Sequence, residues 1–192
     1  PKEISENAIK KAQQFSYQNV RAQWVEAFKN FNIHDLKTRV IFTSSAGGHF
    51  SELCELKELM ERYNSFLITE DHEMMQDYKK TNKSRSWYMP AGTKEHLFKF
   101  LCNFPINIFK SFKAYLKVKP DLVIATGAHT TVPICYIAKM FGKKVIFIET
   151  FANITTKTLS GKLVYPIADL FLVQWEDMLK LYPKAKYRGG LK

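Results

Sequence analysis

The chain is short of several things, and each shortage excludes something. Its three cysteines, Cys54, Cys102 and Cys135, stand far apart in 192 residues and form no CxxC or Cys/His spacing. A structural zinc site is therefore not expected, and buried thiols in a reducing compartment are the plain reading. Eight glycines and seven prolines are too few for a collagenous or linker-rich protein. No run approaches the ~18 apolar residues that a membrane span requires. Residues 1–30 are too polar for a secretory signal. The expectation is a protein that does not cross a membrane, held peripherally at the cytoplasmic face of the cell membrane.

Acidic residues are also scarce. Asp and Glu number 18 against 29 Lys and Arg, a net charge of +11. A surplus of that size favours a polyanionic partner: nucleic acid, an anionic membrane surface or a phosphorylated substrate. No RNP, KH or helix-turn-helix signature supports nucleic acid, so none is expected. Fifteen Phe beside so many Lys suit an interfacial membrane protein equally well.

What is present alternates between two periods. Residues 1–37 are polar and helix-prone, with two weak stripes, Ile4-Ala8-Ala12-Phe15 and Val20-Trp24-Ala27-Phe31. They read as a helical extension ahead of a second segment, 38–192. There, short β-branched or apolar runs (TRVIFTSS, SFLITE, a weaker Ser86–Met89, DLVIAT, KVIFIE, LFLVQ) alternate with helical patterns. Helices are expected at Phe50–Tyr63, Asp71–Lys80, Thr131–Phe141, Lys157–Ile167 and Asp177–Leu181. Strands joined by helical crossovers give an α/β, doubly wound parallel sheet with helices on both faces.

In such a sheet, ligands bind beyond the C-terminal strand ends, where the strand order reverses. The strands expected at that point end in two distinctive turns. The first is Ser44-Ser45-Ala46-Gly47-Gly48-His49, the second Thr126-Gly127-Ala128-His129-Thr130-Thr131-Val132-Pro133. Glycines allow close backbone approach, and a following helix N-terminus offers free N–H groups, as a phosphate or diphosphate requires. Thr130 or Thr131 is expected to cap the second helix. The dinucleotide fingerprint is absent, and Glu70 reads as a loop residue. A third strand end, Phe147-Ile148-Glu149-Thr150-Phe151-Ala152-Asn153, opens on the same side. Glu149 there could orient a sugar hydroxyl, pair with a basic side chain or tune His49.

Residues 97–116 form a basic amphipathic stretch. Leu97, Leu101, Phe104, Ile108, Phe112 and Tyr115 share one side of an ideal helix, with Lys99, Lys110, Lys113 and Lys117 opposite. Pro105 is expected to break or kink it. Six lysines stand against one glutamate between 94 and 119. Such a helix either packs on the sheet or lies in lipid headgroups. The expected membrane contacts are Leu97, Phe98, Leu101, Phe104, Phe109, Lys110, Phe112 and Lys113.

Taken together, the run from KPDLVIATGAHTTVP through IETFAN to LFLVQW resembles the N-terminal half of GT-B glycosyltransferases of the MurG type. The SAGGH turn is similar to that family's first glycine-rich loop, and ATGAHTTVP to its second. The closer resemblance is to half-size members: exopolysaccharide proteins of the PssD/CpsF/EpsE type and the membrane-anchoring subunit of the dolichol-linked UDP-N-acetylglucosamine transferase. The resemblance implies a Rossmann-like GT-B half-domain that binds the acceptor, a polyprenyl-diphosphate-linked saccharide. A donor-binding partner subunit would bring the UDP-sugar. It also implies that Ser45, Gly47, Gly48, Gly127, His129, Thr130 and Asn153 hold the acceptor diphosphate. His49 becomes either the general base or a diphosphate contact, with Glu149 as the second catalytic candidate. No cofactor or metal ion is expected. The rival expectation is a non-catalytic membrane scaffold that recruits and activates the partner.

Overall fold

The computed structural model describes residues 22–24, 26–27, 37–81, 84–90 and 97–191. The side chains of residues 74, 77, 81 and 97–102 lie outside that description. Strands form where the apolar and β-branched runs stand: β1 (Arg39–Thr43), β2 (Asn64–Glu70), β3 (Ser86–Met89), β4 (Leu122–Thr126), β5 (Lys144–Ile148) and β6 (Leu170–Val173). A two-residue β7 (Lys186–Tyr187) completes the sheet; it is too short to leave a periodic signal. The order is β3-β2-β1-β4-β5-β6-β7, and every pairing is parallel. The chain steps outward from β1 to β3, then returns across the sheet to β4. The strand order therefore reverses between β1 and β4.

Period-two alternation sends each strand's residues to two cores. Ile41, Ile68, Val123, Val145 and Phe171 face one side, under α4 (Leu97–Val118), α5 (Val132–Met140) and α6 (Leu159–Val164). Val40, Phe42, Leu67, Ile124 and Ile146 face the other, under α1 (Gly48–Cys54) and α2 (Lys57–Arg62). A short α3 (Gln76–Thr81) precedes β3. Trp24 and Ala27 are buried in the second core, so this part of the N-terminal extension docks on the α1 face. The remaining stripe residues of the extension lie outside the described residues.

Two expectations are corrected. The single helix expected over Phe50–Tyr63 is two, α1 and α2, broken at Glu55 and Leu56. On one regular helix, Leu53, Leu56 and Leu59 drift about 60° per three-residue step. The break keeps all three buried. Pro105 does not end α4, which runs from Leu97 to Val118 with Pro105 inside it and exposed. The apolar side of α4, for which packing and lipid contact were both open, packs only at Tyr115. The buried residues are Asn107, Ser111, Ala114, Tyr115 and Val118, whereas Ile108, Phe109, Phe112 and Leu116 are exposed.

Candidate functional site

Residues at the β1–β4 reversal come from both turns. The first leaves β1 at Ser44, whose N–H donates to the Ile68 carbonyl at 3.1 Å. Gly47 has φ +79°, a conformation that favours glycine, and α1 begins at Gly48. The second turn leaves β4 at Thr126, and Gly127 takes φ +52°. The turns are joined directly. The Thr126 hydroxyl donates to the His49 carbonyl at 3.1 Å. The His49 imidazole packs against Gly127 so closely that a Cβ there would overlap its Cε1 and Nδ1 atoms. Glycine is thus needed at position 127 for two independent reasons. Gly48 has open space around its Cα and no positive φ.

A 3-10 turn, His129–Thr131, replaces the expected side-chain cap ahead of α5. The Thr131 hydroxyl donates to the Ala128 carbonyl at 2.6 Å, and no side chain caps α5. Thr130 is 2% exposed and Ser45 is buried, while His49 and His129 are half-buried.

The chemistry at this edge lies in its hydroxyls. Those of Thr43, Ser44 and Thr69 are buried and have no hydrogen-bond partner among the described residues, while the buried Thr130 hydroxyl is turned to the Glu70 carboxyl. Buried polar groups are nearly always paired, so unpaired hydroxyls at these strand ends are candidate donors for an anion. Glu70 lies at the same edge, at the end of β2. Burial holds its carboxyl above the ordinary carboxylate range, against the opposing pull of the Ala46 N–H and the Thr130 hydroxyl. A carboxyl biased toward its neutral form repels a neighbouring anion less than an ionised one would.

The third strand end behaves differently. Glu149 is 1% exposed. Its carboxylate accepts from the Thr150 N–H (3.1 Å), the Thr158 hydroxyl (2.8 and 3.0 Å) and the Tyr182 hydroxyl (2.7 Å). It meets no basic side chain among these contacts and holds its own loop. A Cβ on Gly161 would overlap the Glu149 carboxylate and the Tyr182 hydroxyl. Asn153 is also turned to local work, its side-chain N–H donating to the Thr156 carbonyl at 3.2 Å. The structure therefore brings His49 and Gly127 together, ties Glu149 to Thr150, Thr158 and Tyr182, and leaves Asn153 bonded within the third loop.

Sequence reasoning missed a second buried carboxylate. Glu52, three residues after His49, is 2% exposed. It accepts from the Thr150 hydroxyl (3.0 Å), the Phe151 N–H (3.2 Å) and the Gln174 side-chain N–H (3.1 Å). Gln174 also donates to the Glu149 carbonyl at 3.0 Å and accepts from the Leu191 N–H at 2.8 Å. These bonds lock α1 to the third loop and to the chain near Leu191. The only sequence signal was a lone acid on the core-facing side of a helical pattern.

The family description "Oligosaccharide biosynthesis protein Alg14 like" matches residues 39–191. The chain belongs to the Alg14-like family. Among Alg14 relatives, the mouse UDP-N-acetylglucosamine transferase subunit ALG14 is 29% identical over 179 residues, 80% of this chain and 82% of the relative. The Candida albicans subunit of the same name is 33% identical over 126 residues, covering 60% of this chain and 58% of the relative. The human one is 39% identical over 91 residues, 44% of this chain and 42% of the relative.

Solved structures share the fold of this Alg14-like chain. Acinetobacter baumannii MurG superposes with TM-score 0.54 at 14% identity, over 71% of this chain and 41% of MurG. A Rickettsia bellii UDP-N-acetylglucosamine 2-epimerase superposes with TM-score 0.61 at 13% identity, over 82% of this chain and 46% of the epimerase. The chain thus spans less than half of these solved proteins. The Rossmann-like, GT-B-type sheet is the shared part.

The helices carry a second feature, an apolar surface. On α4, Phe109 is 60% exposed and Leu116 49%, and the Phe112 ring lies 6.4 Å from Phe141, which follows α5. Lys113 sits over the Phe109 ring at 5.1 Å, and Lys110 donates to the Tyr88 carbonyl at 2.9 Å. Phe104 is half-buried. The side chains of Leu97, Phe98 and Leu101 lie outside the described residues. Among the described residues, no helix is long and apolar enough to cross a membrane.

Proposed function

We propose that this chain is the acceptor-binding, membrane-associated subunit of a two-subunit glycosyltransferase. A partner subunit binds the UDP-sugar, and the names of the relatives suggest UDP-N-acetylglucosamine. The acceptor is a polyprenyl-diphosphate-linked saccharide. The exopolysaccharide setting rests on the sequence resemblance alone; the relatives above are eukaryotic transferase subunits.

One observation carries this reading: two glycine turns packed against each other, at strand ends where the buried hydroxyls of Thr43, Ser44 and Thr69 have no partner among the described residues. Hydroxyl and backbone donors recognise phosphate oxygens without needing a metal ligand set. Gly47, Gly48, Gly127, Ser45, His129 and Thr130 frame that site. His49 touches the second turn and stands where it can meet the diphosphate or take a proton from the acceptor hydroxyl. A bound diphosphate would raise its pKa and weaken it as a base, which favours the contact role. Glu149 and Asn153 support the third loop in this reading.

The α4 surface supports the membrane part. A helix that exposes Phe109, Phe112 and Leu116, while its buried side includes Asn107 and Ser111, presents an apolar surface to its surroundings. Lysines beside those aromatics suit an anionic bilayer, on which each adds ~1 kcal/mol.

The test is transfer by the assembled pair. Co-purified chain and partner should move sugar from UDP-N-acetylglucosamine to a lipid-linked acceptor. Thr130→Val or Gly47→Val should cut the rate at least about tenfold, equivalent to one lost charge-assisted hydrogen bond. Full activity in both variants would refute acceptor binding here and favour the scaffold reading.

A further inference from the structure

The α1 face holds a cavity of about 360 Å³ that the proposed reaction has not used. Its walls are Phe50, Leu53, Met60, Phe66, Leu67 and Tyr78. The volume lies at the small end of the range for ligand sites, about 300–1,000 Å³. The polar groups around it have contacts of their own. The Ser65 hydroxyl is spent on the Met60 and Tyr63 carbonyls. Lys57 pairs with Glu61 at 3.8 Å. Arg85 donates to the Asn64 side chain at 3.2 Å and lies over the Phe66 ring at 5.6 Å. Lys57, Glu61 and Arg85 are exposed at the rim, and a polar ligand would lose its hydration against the apolar inner wall. An apolar chain would lose nothing.

The position of the cavity is specific. α1 presents His49 to Gly127 and, one residue on, Phe50 to the cavity. Leu53 and Cys54 of the same helix also line it. One short helix therefore borders both the diphosphate turns and an apolar cavity. A molecule with a diphosphate head and a hydrocarbon chain matches that pairing. Lys57 and Arg85 against Glu61 leave the rim with a surplus positive charge, as an anionic lipid requires.

We propose that this cavity receives the head-proximal isoprene units of the acceptor's polyprenyl chain. The inference rests on the diphosphate reading of the two turns, and it separates the chain's site from the bilayer contact on α4. The first units turn along α1, on the opposite face of the sheet from α4.

Cys54 is an exposed wall residue and serves as reporter. The experiment measures its rate of alkylation by iodoacetamide in the full chain, by mass spectrometry of the peptide that contains it. Farnesol supplies a chain without a diphosphate, inorganic diphosphate a head without a chain, and farnesyl diphosphate both. The expected result is that farnesol and farnesyl diphosphate slow Cys54 alkylation at least about fivefold, while inorganic diphosphate does not. Farnesyl diphosphate should act at lower concentration than farnesol, and Gly47→Val should abolish that advantage.

Met60→Trp should fill the cavity and leave alkylation indifferent to farnesol. Should that variant misfold, Ser65→Leu narrows the same cavity from its strand wall and should weaken farnesol protection. Unchanged Cys54 reactivity under saturating farnesol and farnesyl diphosphate overturns the proposal. If inorganic diphosphate still competes with a lipid-linked acceptor in the transfer assay, that failure leaves the diphosphate reading standing. Protection by farnesol with no advantage for farnesyl diphosphate supports the cavity and counts against the diphosphate reading.

Discussion

Replacing Gly127 by Ala adds one methyl group and tests the centre of the site. Two separate costs arise from the structure. The backbone at φ +52° is left-handed, which costs a residue with a Cβ about 1–2 kcal/mol. The new Cβ would also overlap the His49 imidazole, so the ring or the turn must shift. Overpacking of that kind costs about 1–3 kcal/mol. The expected loss is about 2–5 kcal/mol, or a fall in Tm of about 4–20 °C at ~2–4 °C per kcal/mol for a domain of this size. Thermal and urea unfolding followed by circular dichroism measure it. The second cost is removable, the first is not. His49→Ala in the Gly127→Ala background should recover about 1–3 kcal/mol, a coupling that a double-mutant cycle reads directly. Gly47→Ala, at φ +79° with nothing within 4 Å, should show the backbone cost alone. Gly48→Ala, with open space and a place in α1, should be neutral or stabilising by up to about 1 kcal/mol. If the Gly127 and His49 effects add to within about 0.5 kcal/mol, the ring does not pack on that turn and the joined site is wrong.

Three further outcomes are expected. Glu149→Ala should destabilise by about 2–4 kcal/mol, because it strips the Tyr182 and Thr158 hydroxyls and the Thr150 N–H of a charged acceptor; denaturant unfolding checks it. Glu70 has a folded-state pKa above its unfolded value, so its stabilising contribution is complete below the unfolded pKa and is lost as pH rises through the folded one. Glu70→Gln should therefore raise Tm at pH 7.5 and change it little at pH 4; the opposite pH order would refute the assignment. Phe109→Glu with Leu116→Glu should weaken binding to anionic vesicles at least about tenfold in a sedimentation assay with Tm nearly unchanged, since both side chains are exposed.

Much was legible in the sequence because it is written in local periodicity. Runs such as LVIA and VIFI are buried on both faces of a parallel sheet, which favours apolar residues. The two glycine turns were legible for a related reason: a strand that turns sharply into a helix at positive φ favours glycine in the turn. Topology followed, because right-handed crossovers leave few strand orders and place β1 beside β4.

What the tertiary structure alone decided are relations between residues far apart in sequence. Periodicity grouped Phe112 with Tyr115 on one apolar side of α4. The sheet and α5 bury Tyr115 together with Asn107 and Ser111, and leave Phe109 and Phe112 outside. A helix's pattern shows which residues share a side, but not which side meets the core. Likewise, a buried carboxylate reads as catalytic or structural only once its donors are known. Glu149 and Glu52 take theirs from residues up to 122 positions away. The contact between His49 and Gly127 has the same origin: each turn follows from its own segment, and only the pairing of β1 with β4 sets one against the other.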